Sequence, residues 1–216
     1  MTRQSPTDLR ILHAVRLLGF ADDTAIATRA AASPDEVAEW LRTGEGQGWV
    51  QQFAFADLRG WSLSETGKAE NERRLAEERA EADPERRIEE VYREFLPLNA
   101  RLLKACTDWQ MKPGTDGRLT TNRHEDKGWD EQVLEELRLL SEELDPLVGR
   151  LRGVLARFAG YDLRFERAWS RARAGETEWV DKSDVDSCHR VWFQLHEDLV
   201  ATLGVDRSEE GRVGAG

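Results

Sequence analysis

The last helical stretch of the sequence carries four side chains that could act together. They recur at helical spacing along one stripe: Asp186, His189, Phe193 and His196. Histidine and aspartate are common zinc ligands, but seven residues of helix separate the two histidines by about 10.5 Å, too far for one zinc ion. We therefore expect no metal here. The alternatives are a polar pair facing an aromatic pocket, with Trp192 beside it, or a core helix with satisfied histidines.

A second candidate site lies around CTDWQ, residues 106–110. Asp108 and Trp109 end a long helical segment directly before a polar loop, and Trp129 follows that loop. Trp109, Trp129 and Trp192 are interpreted either as the walls of one ligand cavity or as ordinary core residues, because aromatic side chains serve both purposes. The predicted ligand-binding residues are Asp108, Trp109, Trp129, His189, Trp192, Phe193 and His196.

Cys106 and Cys188 are the two cysteines of the sequence. They are too few for a disulfide framework, so we expect buried, inert thiols; a redox pair is the alternative. The sequence contains no GxSxG, HExxH, CxxC or phosphate-cradling glycine motif. Cys106, His189 and Asp186 could form a catalytic triad, with the cysteine as nucleophile, the histidine as general base and the aspartate orienting the histidine. Most helical proteins contain three such residues by chance. We expect neither an enzyme nor a cofactor.

The composition is that of a soluble, helix-rich protein. Of 216 residues, 39% are hydrophobic and 34% are charged, and the formal net charge is −11. Acidic residues outnumber basic ones in both halves, which argues against sequence-independent nucleic-acid binding. No apolar run approaches the ~18 residues of a membrane span, and the N-terminus lacks a signal-peptide core. We expect a cytoplasmic protein without membrane contact.

The first 82 residues show the order of elements of a winged helix. Three short helices are predicted, the third over SPDEVAEWLRT at 33–43. Ser33 is a good helix N-cap there, Pro34 fits the first turn, and Glu36 completes a capping box. Two short strands around a turn follow within residues 49–63. A charged helix then opens at Ser64.

Residues 83–207 are predicted to form a bundle of about five helices. A long helical segment covers 84–110 and contains Pro97, which we expect to kink it. Residues 111–128 are predicted to be a polar loop. Further helices are predicted to start at Trp129, Pro146, Tyr161 and about Asp186. The tail, 208–216, is predicted to be disordered.

The segment WSLSETG, residues 61–67, resembles the motif W-x-L-T-x-x-G, which closes the wing and opens the next helix in MarR-type bacterial regulators. Residues 106–110 and VWFQLHEDLVATLG at 191–204 are similar to actinobacterial proteins usually labelled MarR-like. The resemblance implies a dimer that binds operator DNA, with the third helix in the major groove and the wing near the minor groove. The additional helices of the second half depart from the MarR pattern.

The helix that would contact DNA bases is acidic. Asp35, Glu36 and Glu39 are expected on its exposed side, where DNA phosphates favour donors and positive charge. A glutamate can accept a hydrogen bond from cytosine N4, and Glu36 can be used as a cap. The predicted DNA-binding residues are Arg29, Arg42, Thr43 and Arg59, with support from Arg3 and Arg10. We expect weak or strongly salt-limited binding.

The sequence thus predicts a mainly α protein, with an N-terminal winged helix-turn-helix and small β-hairpin wing (1–82) and a C-terminal helical bundle (83–207). Its predicted function is a cytoplasmic, dimeric transcriptional regulator that binds double-stranded operator DNA and responds to a small apolar or aromatic effector. The alternative is a protein-interaction adaptor that uses an acidic winged helix without binding DNA. A biosynthetic enzyme on the same scaffold is a third possibility.

Overall fold

The computed structural model describes residues 2–55, 58–114 and 117–205. The tail predicted to be disordered, 208–216, and the turn residues 56–57 of the wing lie outside the described residues. None of the described helices is long and apolar enough to cross a membrane.

The described chain forms two compact units. The winged-helix unit comprises the described residues up to 85, residues 155–157 and those from 197 onwards, and the helical unit comprises 86–154 and 158–196. The last helix therefore contributes its first half to one unit and its second half to the other. The division into domains at residues 82 and 83 stays a prediction.

Six elements of the winged-helix unit follow each other from the N-terminus: α1 (Thr7–Leu18), α2 (Asp23–Ala30), α3 (Pro34–Gly46), β1 (Val50–Phe55), β2 (Leu58–Leu63) and α4 (Glu65–Ala82). The two strands pair antiparallel, with Gln52 opposite Trp61, and form the wing. Ala21 adds a third strand position. Its N–H donates to the Trp61 carbonyl at 3.2 Å, and its carbonyl accepts from the Trp61 N–H at 2.8 Å. This arrangement confirms the predicted winged helix-turn-helix.

Local hydrogen bonds explain where α2 and α3 begin. Ser33 and Glu36 form the predicted capping box, because the Ser33 hydroxyl accepts from the Glu36 N–H at 3.3 Å and the Glu36 carboxylate accepts from the Ser33 N–H at 2.8 Å. Pro34 occupies the first turn, where its missing N–H is harmless. Asp22 caps α2 by accepting from the Ala25 N–H at 2.8 Å.

The wing-closing motif ends in glycine, Gly67, because there is no room for a side chain at this position. It lies in the first turn of α4, and a Cβ atom there would be only 1.9 Å from the backbone oxygen of Trp49. Ser64 caps the same helix by accepting from the Gly67 N–H at 3.0 Å, and its hydroxyl donates to the Gly48 carbonyl. The motif therefore fixes the start of α4 against the segment that follows α3.

The core of this unit lies beneath α1, α2, α3 and the wing. Its buried members are Ile11, Ala14, Val15, Ala21, Ile26, Ala27, Ala30, Val37, Leu41, Val50 and Trp61. Trp40 packs against this core and stacks on Trp49, with 6.4 Å between ring centroids. Val37 and Leu41 thus face inward, as the helical spacing predicts, and the acidic side of α3 remains exposed.

The helical unit contains α5 (Arg87–Gln110), β3 (Met111–Pro113), β4 (Leu119–Thr121), α6 (Lys127–Val154), α7 (Tyr161–Arg173) and the first half of α8 (Cys188–Leu203). Short 3-10 turns lie at Ala156–Phe158 and Thr177–Trp179. Trp192 of α8 lies at the centre of an aromatic core. Its ring stacks on Phe95 at 4.9 Å and meets Phe165 at 5.4 Å, and all three side chains are buried. This confirms the predicted helical bundle.

Two details of the predicted bundle are wrong. Pro146 does not open a helix, because α6 continues through it. Proline leaves the Glu142 carbonyl without its helical donor, but both residues are exposed and water can hydrogen-bond there instead. The described residues of the bundle therefore contain four long helices rather than about five. The segment 111–128 is not all loop, since β3 pairs with β4 across a turn where Gly117 adopts a positive φ of 78°.

A cluster of polar and charged side chains is buried in the winged-helix unit. It contains His13, Arg29, Asn71, Glu78, Arg157, Asp198 and Thr202. Asp198 is fully buried at its centre, where it accepts a hydrogen bond from His13 Nε2 at 2.9 Å and another from Arg157. Arg157 also donates to Glu78 at 3.2 Å and to Thr202 at 2.7 Å. These partners offset the loss of hydration that burial of the charges entails.

The pKa values of His13 and Asp198 are both lower than usual, for different reasons. Burial lowers the pKa of His13 below its ordinary value, although Asp198 opposes this effect. Burial alone would raise the pKa of Asp198, but Arg157 and His13 outweigh it and hold that pKa below its usual range. Nδ1 of His13 lies 3.2 Å from Oδ1 of Asn71. A half-turn of this amide supplies the Nδ2 donor that a neutral ring requires.

Candidate functional site

The exposed side of α3 is the first candidate surface. Asp35, Glu36 and Glu39 are exposed there together with Arg42 and Thr43. The Ser33 N–H holds the pKa of Glu36 below its usual range, because this hydrogen bond favours the ionised carboxylate. The exposed side of α3 therefore presents three acidic side chains and one guanidinium.

The predicted DNA contacts occupy different environments. Arg42 and Arg59 are exposed, on α3 and on strand β2. The Thr43 hydroxyl donates to the Glu39 carbonyl of its own helix at 3.1 Å. Arg29 is mostly buried, and its guanidinium lies 3.6 Å from the carboxylate of Asp198. A phosphate contact by Arg29 would have to compete with this internal pair.

The two supporting arginines also have partners within the chain, Arg10 at backbone carbonyls and Arg3 in a surface ion pair. Arg10 donates to the carbonyls of Ala30 and Ala31 at 2.7 and 2.9 Å and so ties α1 to the turn between α2 and α3. Arg3 pairs with Glu81 at 2.6 Å. Among the predicted cations, Arg42 and Arg59 are therefore the best placed to meet an external phosphate.

The second candidate site is a cavity of about 560 Å³ in the helical unit. Its walls come from the end of α5, from β4 with the residues after it, and from the segment 177–185. By residue type, nine of the eleven described lining residues are polar or charged, and Trp109 and Val185 are the apolar ones. The volume lies within the ~300–1,000 Å³ that is typical of small-molecule sites.

His124 and Asp130 form a hydrogen-bonded pair at this cavity. Nδ1 of His124 lies 3.1 Å from both carboxylate oxygens of Asp130, so this nitrogen carries the proton and donates. The His124 ring packs on Trp109 with 4.4 Å between centroids. Asn122 holds the pair in place, since its side chain donates to Asp130 at 2.8 Å and accepts from the His124 N–H at 3.0 Å.

The segment 177–185 contributes four charged groups to the lining of the cavity. Glu178, Asp181 and Asp184 contribute carboxylates, and Lys182 contributes one ammonium group. Asp181 accepts a hydrogen bond from the side chain of Gln110 at 2.7 Å. The described lining is therefore negative overall, with three carboxylates against one side-chain cation.

The predicted ligand-binding residues are distributed over several places. Trp109 lines the cavity just described, whereas Trp129 and Asp108 line a second cavity of about 270 Å³. The Trp129 Nε1–H donates to the Asp108 carbonyl at 2.6 Å, and the Asp108 carboxylate pairs with Lys104. Asp108, Trp109 and Trp129 are thus close in the structure, but the two tryptophans line different cavities.

The other predicted ligand residues belong to α8. Trp192 is buried against Phe95 and Phe165, and its Nε1–H donates to Asn99 at 3.0 Å, so the space around it is filled by the protein's own rings. The His196 ring also packs on an aromatic side chain, 5.5 Å from the centroid of Phe95.

Phe193 and His189 occupy more open positions on the same helix. Phe193 is 47% exposed, and His189 is half-buried near the start of α8. A role for these residues in ligand binding stays a prediction.

The two cysteines are buried and free, as expected for inert thiols. Burial raises the pKa of Cys106 to about 12 and raises that of Cys188 as well. The reactive thiolate is therefore scarce at neutral pH.

Sequence reasoning missed the pair at the cavity. A local signal existed, since Asn122 precedes His124 by two residues and Asp130 follows in the first turn of a helix. The described residues contain no group of three or more histidine, cysteine, aspartate or glutamate side chains that could hold a metal ion.

A scan against protein-family models, a search of curated proteins and a search of solved structures each found no match for this chain.

Proposed function

We propose that this protein is a dimeric, ligand-responsive transcriptional regulator that binds operator DNA through its winged-helix unit. The observation that supports the proposal is the arrangement of α2, α3 and the wing. The capping box fixes the start of α3, and the core holds Val37 and Leu41 inward. Arg42 remains exposed on α3, and Arg59 is exposed on the wing. In this arrangement α3 would enter the major groove, and the wing would lie near the minor groove, as the resemblance implies.

Charge sets the strength expected of this binding. If Arg42 and Arg59 of two protomers neutralise four phosphates, the logarithm of the binding constant should fall with the logarithm of salt concentration with a slope of about −3.6. The carboxylates on α3 oppose binding, although a glutamate can accept from cytosine N4 and so contribute to specificity. Binding is therefore expected to be modest at cytoplasmic ionic strength.

The effector in this proposal is a small molecule that enters the cavity of the helical unit. It can regulate DNA binding only if it has different affinities for the DNA-binding and non-binding arrangements. The proposed location is the cytoplasm, and no catalytic role is assigned.

The test is fluorescence anisotropy of the purified protein with labelled DNA from its own upstream region, across a salt series. Arg42→Ala and Arg59→Ala should each weaken binding, and the double variant should reduce the slope to near zero. Arg167→Ala removes an exposed arginine from α7 and serves as the control. Absence of a specific complex at low salt, with or without effector candidates, would exclude DNA binding by this surface.

A second candidate function is that of a protein-interaction adaptor. The observation that favours it is the exposed acidic side of α3, with Asp35, Glu36 and Glu39 close together. Such a surface is complementary to a basic partner segment. Charge reversal at Asp35 and Glu39 to lysine separates the two functions, because it should strengthen DNA binding and weaken binding of a basic protein partner.

A further inference from the structure

We propose that the cavity of the helical unit binds a small organic cation through its ammonium group, with Nε2 of His124 as hydrogen-bond acceptor and the carboxylates of Glu178, Asp181 and Asp184 as counter-charges. In the proposed function, this cation would be the effector. Any effect of the cation on DNA binding rests on that proposed function. Binding of the cation itself depends on the cavity alone.

The orientation of His124 provides a directed acceptor. Because its Nδ1–H donates to Asp130, a neutral ring must accept at Nε2. Nε2 makes no hydrogen bond to any other described residue, and the His124 side chain is 32% exposed beside the cavity. The His124 ring is held by packing on Trp109. The backbone of His124 is held by the hydrogen bond that its own N–H donates to Asn122. This nitrogen can accept a hydrogen bond from the N–H of an ammonium group.

The net charge of the lining favours a positively charged ligand. Glu178 and Asp184 make no side-chain hydrogen bond or ion pair to other described residues, although the guanidinium of Arg171 attracts Glu178. Asp181 accepts a hydrogen bond only from the neutral side chain of Gln110. Lys182 offsets one of these charges. An anion would meet net repulsion at this site, whereas a cation gains from each carboxylate.

The carboxylates and hydroxyls in the lining also disfavour a purely apolar ligand. Such a ligand would take water away from carboxylates and hydroxyls without replacing the hydrogen bonds that are lost. The apolar surface of Trp109 is mostly covered, since this residue is only 4% exposed. The aromatic cluster around Trp192, where an apolar effector was expected from the sequence, is filled by the protein's own rings.

The experiment compares three probes that share one ring and differ in charge: benzylamine, benzyl alcohol and benzoate. Each is titrated into the full chain without DNA, and binding is followed by calorimetry and by the NMR resonances of the His124 ring. We expect saturable binding of benzylamine with a shift of these resonances. Benzyl alcohol and benzoate should bind about tenfold more weakly or worse, a difference of about 1.4 kcal/mol. Equal affinity for benzylamine and benzyl alcohol, or no saturable benzylamine binding, would overturn the proposal.

A pair of double variants controls for non-specific attraction to an acidic protein. Asp181→Asn with Asp184→Asn should lower benzylamine affinity about tenfold, as expected for two partly exposed ion pairs. Asp145→Asn with Glu166→Gln makes the same change of charge at exposed positions on α6 and α7 and should leave the affinity within about twofold. Equal losses in the two double variants would contradict a specific site.

The two proposals can fail separately. Amine binding is measured without DNA, and operator binding is measured without amine. If benzylamine binds but no operator complex forms, the cation site stands and the regulator function falls. If the operator complex forms but none of the probes binds, the regulator function stands and the cation site falls.

Discussion

Among the residues that the structure describes, each unit contains a histidine–aspartate pair. His13 and Asp198 are both buried in the winged-helix unit, whereas His124 and Asp130 lie at the edge of a cavity in the helical unit. The hydrogen bond is similar in both, 2.9 Å in the first pair and 3.1 Å in the second. The difference is in what surrounds the ring. Both nitrogens of His13 face protein side chains, and one nitrogen of His124 remains available.

This difference shows that burial decides what such a pair can do. Asp198 interacts with His13, Arg157 and Arg29, so the pair joins α1, α2 and α8 and leaves no position for a ligand. Asp130 only fixes the orientation of His124, which leaves the second nitrogen directed away from the pair. The first pair is therefore expected to stabilise the fold, and the second to bind.

The largest effect is expected from breaking the buried pair. Asp198→Asn keeps the shape of the side chain but removes the charge that compensates Arg157. The loss of one partner from a buried ion pair costs about 3–5 kcal/mol, so the free energy of unfolding should fall by that amount in urea titrations followed by circular dichroism. Asp145→Asn, the same change at an exposed position, should stay within about 0.5 kcal/mol. A loss below about 1 kcal/mol for Asp198→Asn would show that the cluster contributes little to stability.

A second, intermediate effect is expected from protonation of His13. The pKa of His13 is lower in the folded protein than the ordinary value of about 6.5, so the unfolded chain binds more protons below that pH. Stability is then lost as the pH falls below about 6.5, by up to about 1.4 kcal/mol per pH unit for one proton. His13→Gln cannot titrate and should flatten the dependence of unfolding free energy on pH between 7 and 5. An unchanged slope in this variant would contradict a neutral, buried His13.

The smallest effect on stability is expected at the cavity. Asp130→Asn still offers an oxygen to Asn122 and His124, and these side chains are partly exposed to water. The unfolding free energy should change by only about 0.5–1.5 kcal/mol, the net contribution of one hydrogen bond. Benzylamine affinity should nevertheless fall, because a neutral amide oxygen holds the Nδ1–H of His124 more weakly than a carboxylate does and so fixes the direction of Nε2 less firmly. If the stability loss matched that of Asp198→Asn, the functional distinction between the two pairs would be lost.

Much of the winged-helix unit could be predicted because its signals are local. The capping box joins Ser33 to Glu36, and Ser64 caps α4 through the N–H of Gly67 three residues later. The contact that requires glycine at position 67 is with Trp49, outside the 61–67 motif, so the motif was visible in the sequence but its reason was not. Helical spacing placed Val37 and Leu41 in the core. The burial of Cys106 and Cys188 also followed from the default behaviour of free cysteines.

The prediction was less successful where local rules compete with solvent or with packing. A proline often marks the start of a helix, but α6 continues through Pro146. The Glu142 carbonyl, which loses its helical donor, is on an exposed residue and can accept a hydrogen bond from water. Residues 111–128 looked like a loop because each strand has only three residues, too few for a periodic signal. The assignment of Arg29 to DNA stays a prediction, and packing places its guanidinium 3.6 Å from the carboxylate of Asp198, which the sequence did not indicate.

The sequence by itself determined the order of elements, the caps, the wing and the acidic side of α3, because these depend on hydrogen bonds and periodicities within a few residues. Only the tertiary structure decided which polar groups meet. His13 and Asp198 are 185 positions apart, and His124 meets the segment 177–185 at the cavity. Such contacts depend on how helices pack, and packing follows from the shape and volume of many side chains together. The role of each histidine therefore became visible only from its surroundings in the folded chain.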